Sequence, residues 1–451
     1  MQSILAGCMM QNDPIAVREV KIRVLDCTEL DPDPIVASQK NAINQASYFD
    51  LYRFQHPKVT FELEQLSALN TDLLAAVNSA NPPDLLMINA IQFQELIDQN
   101  LLAPLDPLIQ KTNTDLESIT PTILQALKNA GNGTLYGLAP FYSAKALIYN
   151  KNEFADAAIA PLQDGMTRKE VFEKARVLTK GQNEQKVAGL ALGNSDLFDG
   201  LTDYVNAMQL NIFDRETYKM TVNSEEWVNV FKEFSVLKAQ GIFPSMNYVL
   251  SGNAHTPFAA NHFISGRAAM AIIDLPELNR LIYANKKYPD LEYIPKNWGI
   301  VSLPVISTDN SVGSNIQFEG LMVINAKSGH QDEVWEVIRS INSDEWAKLK
   351  TNSSLFLSTH ENAISVIAGS QEYAKAFSKT MPVVFRYDPE QLERNDWRYM
   401  ELRNIGRNYF NQVLDGKIEI KSALENWSRE GQVVLVDIIS TPSRPNPMSS
   451  Y

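Results

Sequence analysis

The chain has 451 residues, too many for one ordinary domain, and its 45% hydrophobic and 21% charged residues can build a sizeable core. A net charge of −13, spread along the chain rather than run together, argues against a nucleic-acid partner, which calls for a basic face. The two cysteines, Cys8 and Cys27, exclude a disulfide framework and a cysteine-based zinc site, and no run reaches the ~18 apolar residues of a membrane helix.

In chain order, residues 9–16 are polar and read as a tether. Residues 20–26 (VKIRVLD) set Ile22 and Val24 against lysine and arginine, the alternation of a strand. A helix is expected over 35–53. His56-Pro57 breaks it, and 58–64 (KVTFELE) alternates again as a second strand. Residues 70–78 read as helix, Pro82-Pro83 interrupts, and 84–88 (DLLMI) is a buried strand followed by a short helix over 91–100. This β-α-β-α-β-α order implies a parallel sheet with helices on both faces. No glycine-rich turn follows the first strand, and Gly131 and Gly133 precede a strand, so a dinucleotide or phosphate cradle is not expected.

Further along, 133–140 (GTLYGLAP) reads as a hairpin leading into a strand over 144–149 (AKALIY). Thr167 opens a helix to 179, with Glu170 completing a capping box. A short strand is expected over 190–193, helices over 197–210 and 224–240, and strands over 268–273, 298–303 and 320–324. A helix follows over 331–341, the last third is largely helical, and the proline-rich tail 441–447 is loop.

Five segments, in this order and spacing, carry a family resemblance. They are 83–89 (PDLLMIN) followed by 101–106 (LLAPLD), 135–138 (LYGL) through 146–151 (ALIYNK), 263–270 (FISGRAAM), 298–304 (WGIVSLP), and 320–324 (GLMVI) with the helix around Trp335. Over about residues 20–435 the chain resembles the extracytoplasmic solute-binding proteins of ABC importers, in the sugar-binding group that includes maltose-binding protein. The resemblance implies an α/β fold of two lobes of the periplasmic-binding-protein type (class II), joined by hinge strands and closing over a ligand. It places one lobe at 19–143 plus 320–380 and the other at 144–319 plus 381–445, with 1–18 a lipobox and tether and 446–451 a tail. The crossings fall near 142–145, 317–320 and 380–385. The expected function is solute capture, with a carbohydrate as solute and the permease subunits of a transporter as partners. A monomer without cofactor, metal or nucleic acid is expected.

In that setting Leu5-Ala6-Gly7-Cys8 matches the bacterial lipobox, in which small residues precede a cysteine that takes a diacylglycerol. Cys8 is thus expected to anchor the chain to the outer face of the cell membrane. Only residues 1–4 precede the box, where a secretory signal has a charged start and an apolar stretch, so the expectation is that the true start lies upstream. Cys27 reads as a small buried residue, and a bridge to Cys8 would conflict with lipidation.

Ligand-binding groups are sought at the crevice ends of strands, where amides, carboxylates and aromatic rings suit sugar hydroxyls and C–H faces. After the first strand these are Asp26, Thr28 and Glu29, as a cleft lip or as local turn formers. Asn89 and Gln92 follow the third strand, with Asn89 a helix cap in the alternative. Tyr142, Ser143 and Lys145 lie on the first crossing, where hinge packing competes with ligand contact. Asn194 reads as a cap or a donor. Asp274 stands near where sugar-binding relatives place an aromatic residue, which puts a simple stacking platform in doubt and hints at a polar or basic ligand feature. Gln317, Phe318 and Glu319 lie on the second crossing, Arg386 follows the third, and Trp397 is open between packing and stacking. Trp335 and Trp346 read as core, and Trp298 more as core than as stacking platform.

No catalytic motif emerges. The five histidines are not spaced for zinc, and Gly193-Asn194-Ser195 lacks the second glycine of a nucleophile elbow. Two alternatives to a transport receptor stay open at this level: a carbohydrate-active enzyme, and a binding lipoprotein that senses its ligand.

Overall fold

A computed structural model describes residues 19–27, 48–66, 73–182, 186–193, 196–214, 217–244, 258, 260–306, 312–314, 316–350, 356–364, 373, 375–379, 381, 382 and 398–441. The chain opens with β1 (Val20–Asp26), α1 (Asp50–Gln55), β2 (Val59–Gln65), α2 (Leu73–Val77), β3 (Leu85–Ile88) and α3 (Ala90–Asp98). This is the expected alternation. Of the helix read over 35–53, only the end lies within the described residues, and it continues to Gln55. β1 pairs in parallel with both β2 and β3, and the apolar side chains of β1 and β3 are buried.

α4 (Asp106–Thr112), α5 (Pro121–Ala130) and β4 (Gly137–Leu138) complete this part of the chain. The hairpin read over 133–140 is corrected here. β4 pairs with a strand far along the chain, Met322 opposite Leu138 and Val323 opposite Gly137. Gly137 permits that approach, since a Cβ there would lie 2.7 Å from the Val323 side chain. β5 (Phe141–Ser143) then leads to β6 (Ala146–Asn150), α6 (Lys151–Asp156) and α7 (Arg168–Leu178). The capping box on α7 forms: the Glu170 N–H donates to Thr167 Oγ1, and Glu170 Oε2 accepts from the Thr167 N–H at 2.7 Å.

α8 (Leu197–Ala207), the short pair β7 (Phe213–Asp214) and β8 (Lys219–Met220), α9 (Glu225–Ala239), β9 (Met270–Ile273), α10 (Leu275–Lys287) and β10 (Trp298–Ser302) follow. The strand read over 190–193 is reduced to isolated bridges, Ala188 to Ala268 and Ala191 to Ala271. Here Gly189 lets the chain run against the backbone of Ala175 on α7. The remaining elements are β11 (Val312–Ser314), β12 (Gln317–Glu319), β13 (Leu321–Ile324), α11 (Gln331–Ile341), α12 (Asp344–Lys350), β14 (Leu357–Ser358), α13 (Glu361–Ile364), β15 (Met381–Pro382), α14 (Arg398–Leu414) and α15 (Ile420–Ser440).

Two sheets organise the molecule. The first has the order β2-β1-β3-β13-β4, so its parallel half is extended by an antiparallel strand from much later in the chain. The second has the order β10-β6-β9 and is antiparallel. A third, small sheet of order β12-β5-β14 lies where the chain leaves the first sheet for the second. Two apolar clusters form the core, one gathered on the first sheet and the other around Trp227, Trp427, Phe198 and Phe410. β6 stands between them: Ala146 and Ile148 belong to the first cluster, Leu147 and Tyr149 to the second, as the two-residue period of a strand requires. Trp335, Trp346 and Cys27 are buried, as expected. Trp298 is half-buried, its ring centroid 4.6 Å from that of Tyr373. Among the described residues, no helix is long and apolar enough to cross a membrane.

Candidate functional site

The register of the sheets fixes which strand ends face the crossing. In the second sheet Ala146 lies opposite both Ile273 and Ser302, so the start of β6 and the ends of β9 and β10 are level with the exit from the hinge strands. In the first sheet the end of β3 lies opposite the start of β13, Ile88 to Leu321, and β13 follows β12 through Gly320. The two sheets thus present these ends toward the crossing strands, and the residues following them are the two rims.

The hinge itself is β5 against β12. Phe141 lies opposite Glu319, Tyr142 opposite Phe318, and Ser143 opposite Gln317. The first two crossings read from the sequence are therefore one pair of hydrogen-bonded strands. Tyr142 is fully buried, and burial pushes its phenol well above the usual tyrosine range. The Ser378 side chain is its polar neighbour, but no hydrogen bond of ordinary geometry forms. Phe318 is also buried, whereas Ser143, Gln317 and Glu319 are half-buried. The region of the third crossing holds β15, which runs in parallel with β11.

On the rim of the first sheet, Asp26 is buried and its carbonyl accepts from the Leu66 N–H. Thr28 and Glu29 lie outside the described residues. Asn89 and Gln92 form a reciprocal capping box at the start of α3: Asn89 Oδ1 accepts from the Gln92 N–H at 2.9 Å, and Gln92 Oε1 accepts from the Asn89 N–H at 3.0 Å. Their side-chain oxygens are thereby used in ordering the helix, and both residues are buried. Between them Ile91 is buried in the second apolar cluster, the other side of the crossing.

On the rim of the second sheet, Asp274 caps α10, its Oδ1 accepting from the Glu277 N–H at 2.9 Å. Asn261 Nδ2 donates to Glu277 Oε1 at 3.3 Å. Burial, reinforced by the Asp274 charge, pushes the Glu277 carboxyl up to about 7, against the opposing influence of Arg280 and Lys145. Lys145, exposed between β5 and β6, is ion-paired with Asp203 of α8. Asn194 lies outside the described residues, and Asp196, two positions on, caps α8. Arg403 and Arg407 of α14 hold Asp199 near that cap, each at 2.8 Å. Arg168 lies over the Tyr204 ring at 4.7 Å, and the Tyr204 hydroxyl donates to Glu233 at 2.8 Å. Arg386 and Trp397 lie outside the described residues, as does Cys8.

The arrangement sets a mixed polar rim over a buried aromatic hinge. Glu277 is the residue that sequence reading missed. Its spacing three positions after Asp274 is that of a capping pair, a signal the sequence held, and only the fold brings it to Asn261. Among the described residues no group of three or more histidine, cysteine or carboxylate side chains is placed to hold a metal ion.

Residues 36–348 match the family of bacterial extracellular solute-binding proteins. The chain belongs to that family. Solved structures agree at the level of the fold. A sugar transporter from Rhizobium etli in an open conformation has 16% identity and a TM-score of 0.60, covering 92% of this chain and 99% of that one. The sugar-binding protein MalE from Xanthomonas citri has 15% identity and a TM-score of 0.60, over 92% and 98%. An ABC substrate-binding protein from Listeria monocytogenes, in complex with cycloalternan, has 17% identity and a TM-score of 0.54, over 93% and 99%. No curated protein matches the chain by sequence. As a solute-binding protein the chain has the two-lobe α/β fold expected of it, and its family is one of binding proteins of the extracytoplasmic space.

Proposed function

We propose that this solute-binding protein captures a carbohydrate by closure of two lobes about β5 and β12 and delivers it to the permease of an ABC importer. The observation that carries the reading is the hinge. Two strands from distant parts of the chain pair side by side where the main chain leaves one sheet for the other, with polar residues on both rims. A ligand that touches both rims only in the closed state shifts the equilibrium toward closure. The sugar-binding MalE and the cycloalternan-bound Listeria protein share the fold and support a saccharide as the solute. On this reading the lobes are 19–143 plus 320–380 and 144–319 plus 381–445, the protein acts as a monomer without catalysis, and Cys8 carries a lipid anchor at the outer membrane face.

A thermal-unfolding screen of mono- and oligosaccharides, uronates and polyamines tests the solute. A true ligand at 100 times its Kd stabilises the protein by about 2.7 kcal/mol, and small-angle scattering shows compaction. Stabilisation by polyamines alone overturns the carbohydrate reading. Compaction absent with a bound ligand overturns the hinge, and conversion of the sugar overturns the receptor role.

A further inference from the structure

Besides the hinge strands, a second connection runs between the two sheets, through residues 373 and 375–379 and on into β15. At one end the Tyr373 ring packs on Trp298, the first residue of β10, at 4.6 Å between centroids. At the other end Lys379 is ion-paired with Asp164. Asp164 is held at the last residue of β10, its Oδ1 accepting from the Ser302 N–H at 2.8 Å, and the Gly165 N–H donates to Ser302 Oγ at 3.1 Å. Between these ends the segment is fastened to the first sheet's side. Phe377 is fully buried in the apolar cluster gathered on that sheet. The Ser378 carbonyl accepts from Thr122 Oγ1 of α5 at 2.8 Å, and the Ser378 side chain is the polar neighbour of Tyr142 on the hinge. β15 then packs on α5, while its partner β11 packs on α8.

We propose that this segment is a strap across the hinge and that the Lys379–Asp164 ion pair is its latch, holding the two sheets in the arrangement seen here. The proposal rests on the two-lobe closure of the reading above. The arrangement is an apposed one, since Ile91, on the rim after β3, is buried in the second apolar cluster. The two partners of the latch are anchored independently. Asp164 is fixed by the Ser302 N–H, and Lys379 follows Ser378, whose carbonyl is fixed by Thr122. The pair can therefore break while both anchors persist. Its side chains are 44% and 40% exposed, so water and salt screen it, and an exposed pair of this kind shifts an equilibrium by about two- to fivefold. A contact of that size biases closure without freezing it, and it makes affinity for the solute depend on ionic strength. Lys111–Asp332 and Lys421–Glu225 are exposed pairs inside one lobe of that reading, and closure leaves them unchanged.

Small-angle scattering of the protein alone, and calorimetric titration with maltotetraose, xylotetraose and raffinose, test the latch. Lys379→Glu sets two carboxylates face to face, and at low salt its radius of gyration is expected to exceed that of the wild type. High salt expands the wild type in the same way and leaves Lys379→Gln unaltered, which carries the information even if Lys379→Glu fails to fold. Lys379→Gln, and Asp164→Asn, which keeps an acceptor for the Ser302 N–H, each weaken sugar binding about two- to fivefold. The double variant loses no more than either alone, and Lys111→Gln binds as the wild type does. A folded Lys379→Glu with an unchanged or smaller radius overturns the latch, and so do additive losses in the double variant. If sugar compacts the wild type all the same, the carbohydrate and hinge readings stand without it. Expansion of Lys379→Glu, with none of the sugars bound by the wild type, supports the latch and overturns the carbohydrate reading instead.

Discussion

Tyr142 lies directly opposite Phe318 in the antiparallel pair of β5 and β12, and both side chains are buried. The strands between the two sheets thus bury two aromatic side chains at facing positions. Phe141, next to Tyr142, packs on Trp346 at 5.5 Å between ring centroids, and Trp346 stacks on Tyr48 at 5.8 Å.

The Tyr142 hydroxyl is buried without a hydrogen bond of ordinary geometry among the described residues. Removing an unsatisfied polar atom costs little, whereas removing a buried ring costs about 3–5 kcal/mol. Tyr142→Phe is therefore expected to unfold at the wild-type temperature or slightly above it, and Tyr142→Ala far below. Chemical denaturation of the two variants checks this. A marked loss in Tyr142→Phe would mean that the hydroxyl is bonded in solution.

Gly320 joins β12 to β13 with φ +70°, and a Cβ there would lie 2.8 Å from the Tyr48 hydroxyl. Gly416 has φ +68° and open space around it. Alanine at Gly416 meets backbone strain alone, about 1 kcal/mol. Alanine at Gly320 meets the same strain and a clash on the hinge, so it is expected to cost at least 1 kcal/mol more and to weaken ligand binding. Equal losses of stability in the two variants would show that Tyr48 moves aside freely.

These hinge facts were half legible in the sequence. Local signals were strong: the alternation of 20–26, the capping box at Thr167 and Glu170, and the helix Gln331–Ile341 all formed as read. Both crossing segments were found, but not that they pair with each other, because pairing over such a separation leaves no local periodicity. The same limit misassigned Gly137–Leu138 to a hairpin, when its partner is β13. At the site, Asn89 was legible as a cap and does cap, whereas Asp274, read as a ligand feature, also proves to cap a helix. The burial of Glu277 and its contact with Asn261 were not legible, since Asn261 comes from another part of the chain.

Two buried groups near that site impose opposite pH slopes on folding. Burial raises Glu277 from 4.5 to about 7, so the folded state holds a proton that the unfolded state has lost, and stability falls as pH rises from 4.5 to 7. Burial and Arg267 lower His262 from 6.5 to about 4, so the unfolded state holds the extra proton, and stability falls as pH drops from 6.5 to 4. Between pH 4.5 and 6.5 the two effects offset each other. Glu277→Gln is expected to expose the histidine slope in that window, with Tm rising with pH. His262→Gln is expected to expose the reverse. Scanning calorimetry from pH 4 to pH 8 reads both. Flat profiles in both variants would show that neither group is buried in solution.

Arg398 ties the last two helices together and gives a sharper stability test. Its side chain is 2% exposed, and one guanidinium nitrogen donates to the Asp437 carbonyl at 2.9 Å, Asp437 Oδ2 at 3.0 Å and Thr441 Oγ1 at 2.6 Å. The other donates to the Thr441 carbonyl at 3.3 Å. A planar fork is needed to reach acceptors on both residues, and lysine has one ammonium instead. Arg398→Lys is therefore expected to lose about 2–3 kcal/mol. Asp437→Asn should lose under about 1 kcal/mol, because that side chain is 39% exposed and the other acceptors remain. Arg398 begins α14, which carries Arg403 and Arg407 to Asp199 on the second rim. If α14 positions that rim, Arg398→Lys weakens sugar binding several-fold under conditions where it is still folded, and Asp437→Asn does not. Denaturation midpoints and binding isotherms on the same samples separate the two effects, and unchanged affinity in Arg398→Lys would confine the cluster to fold stability.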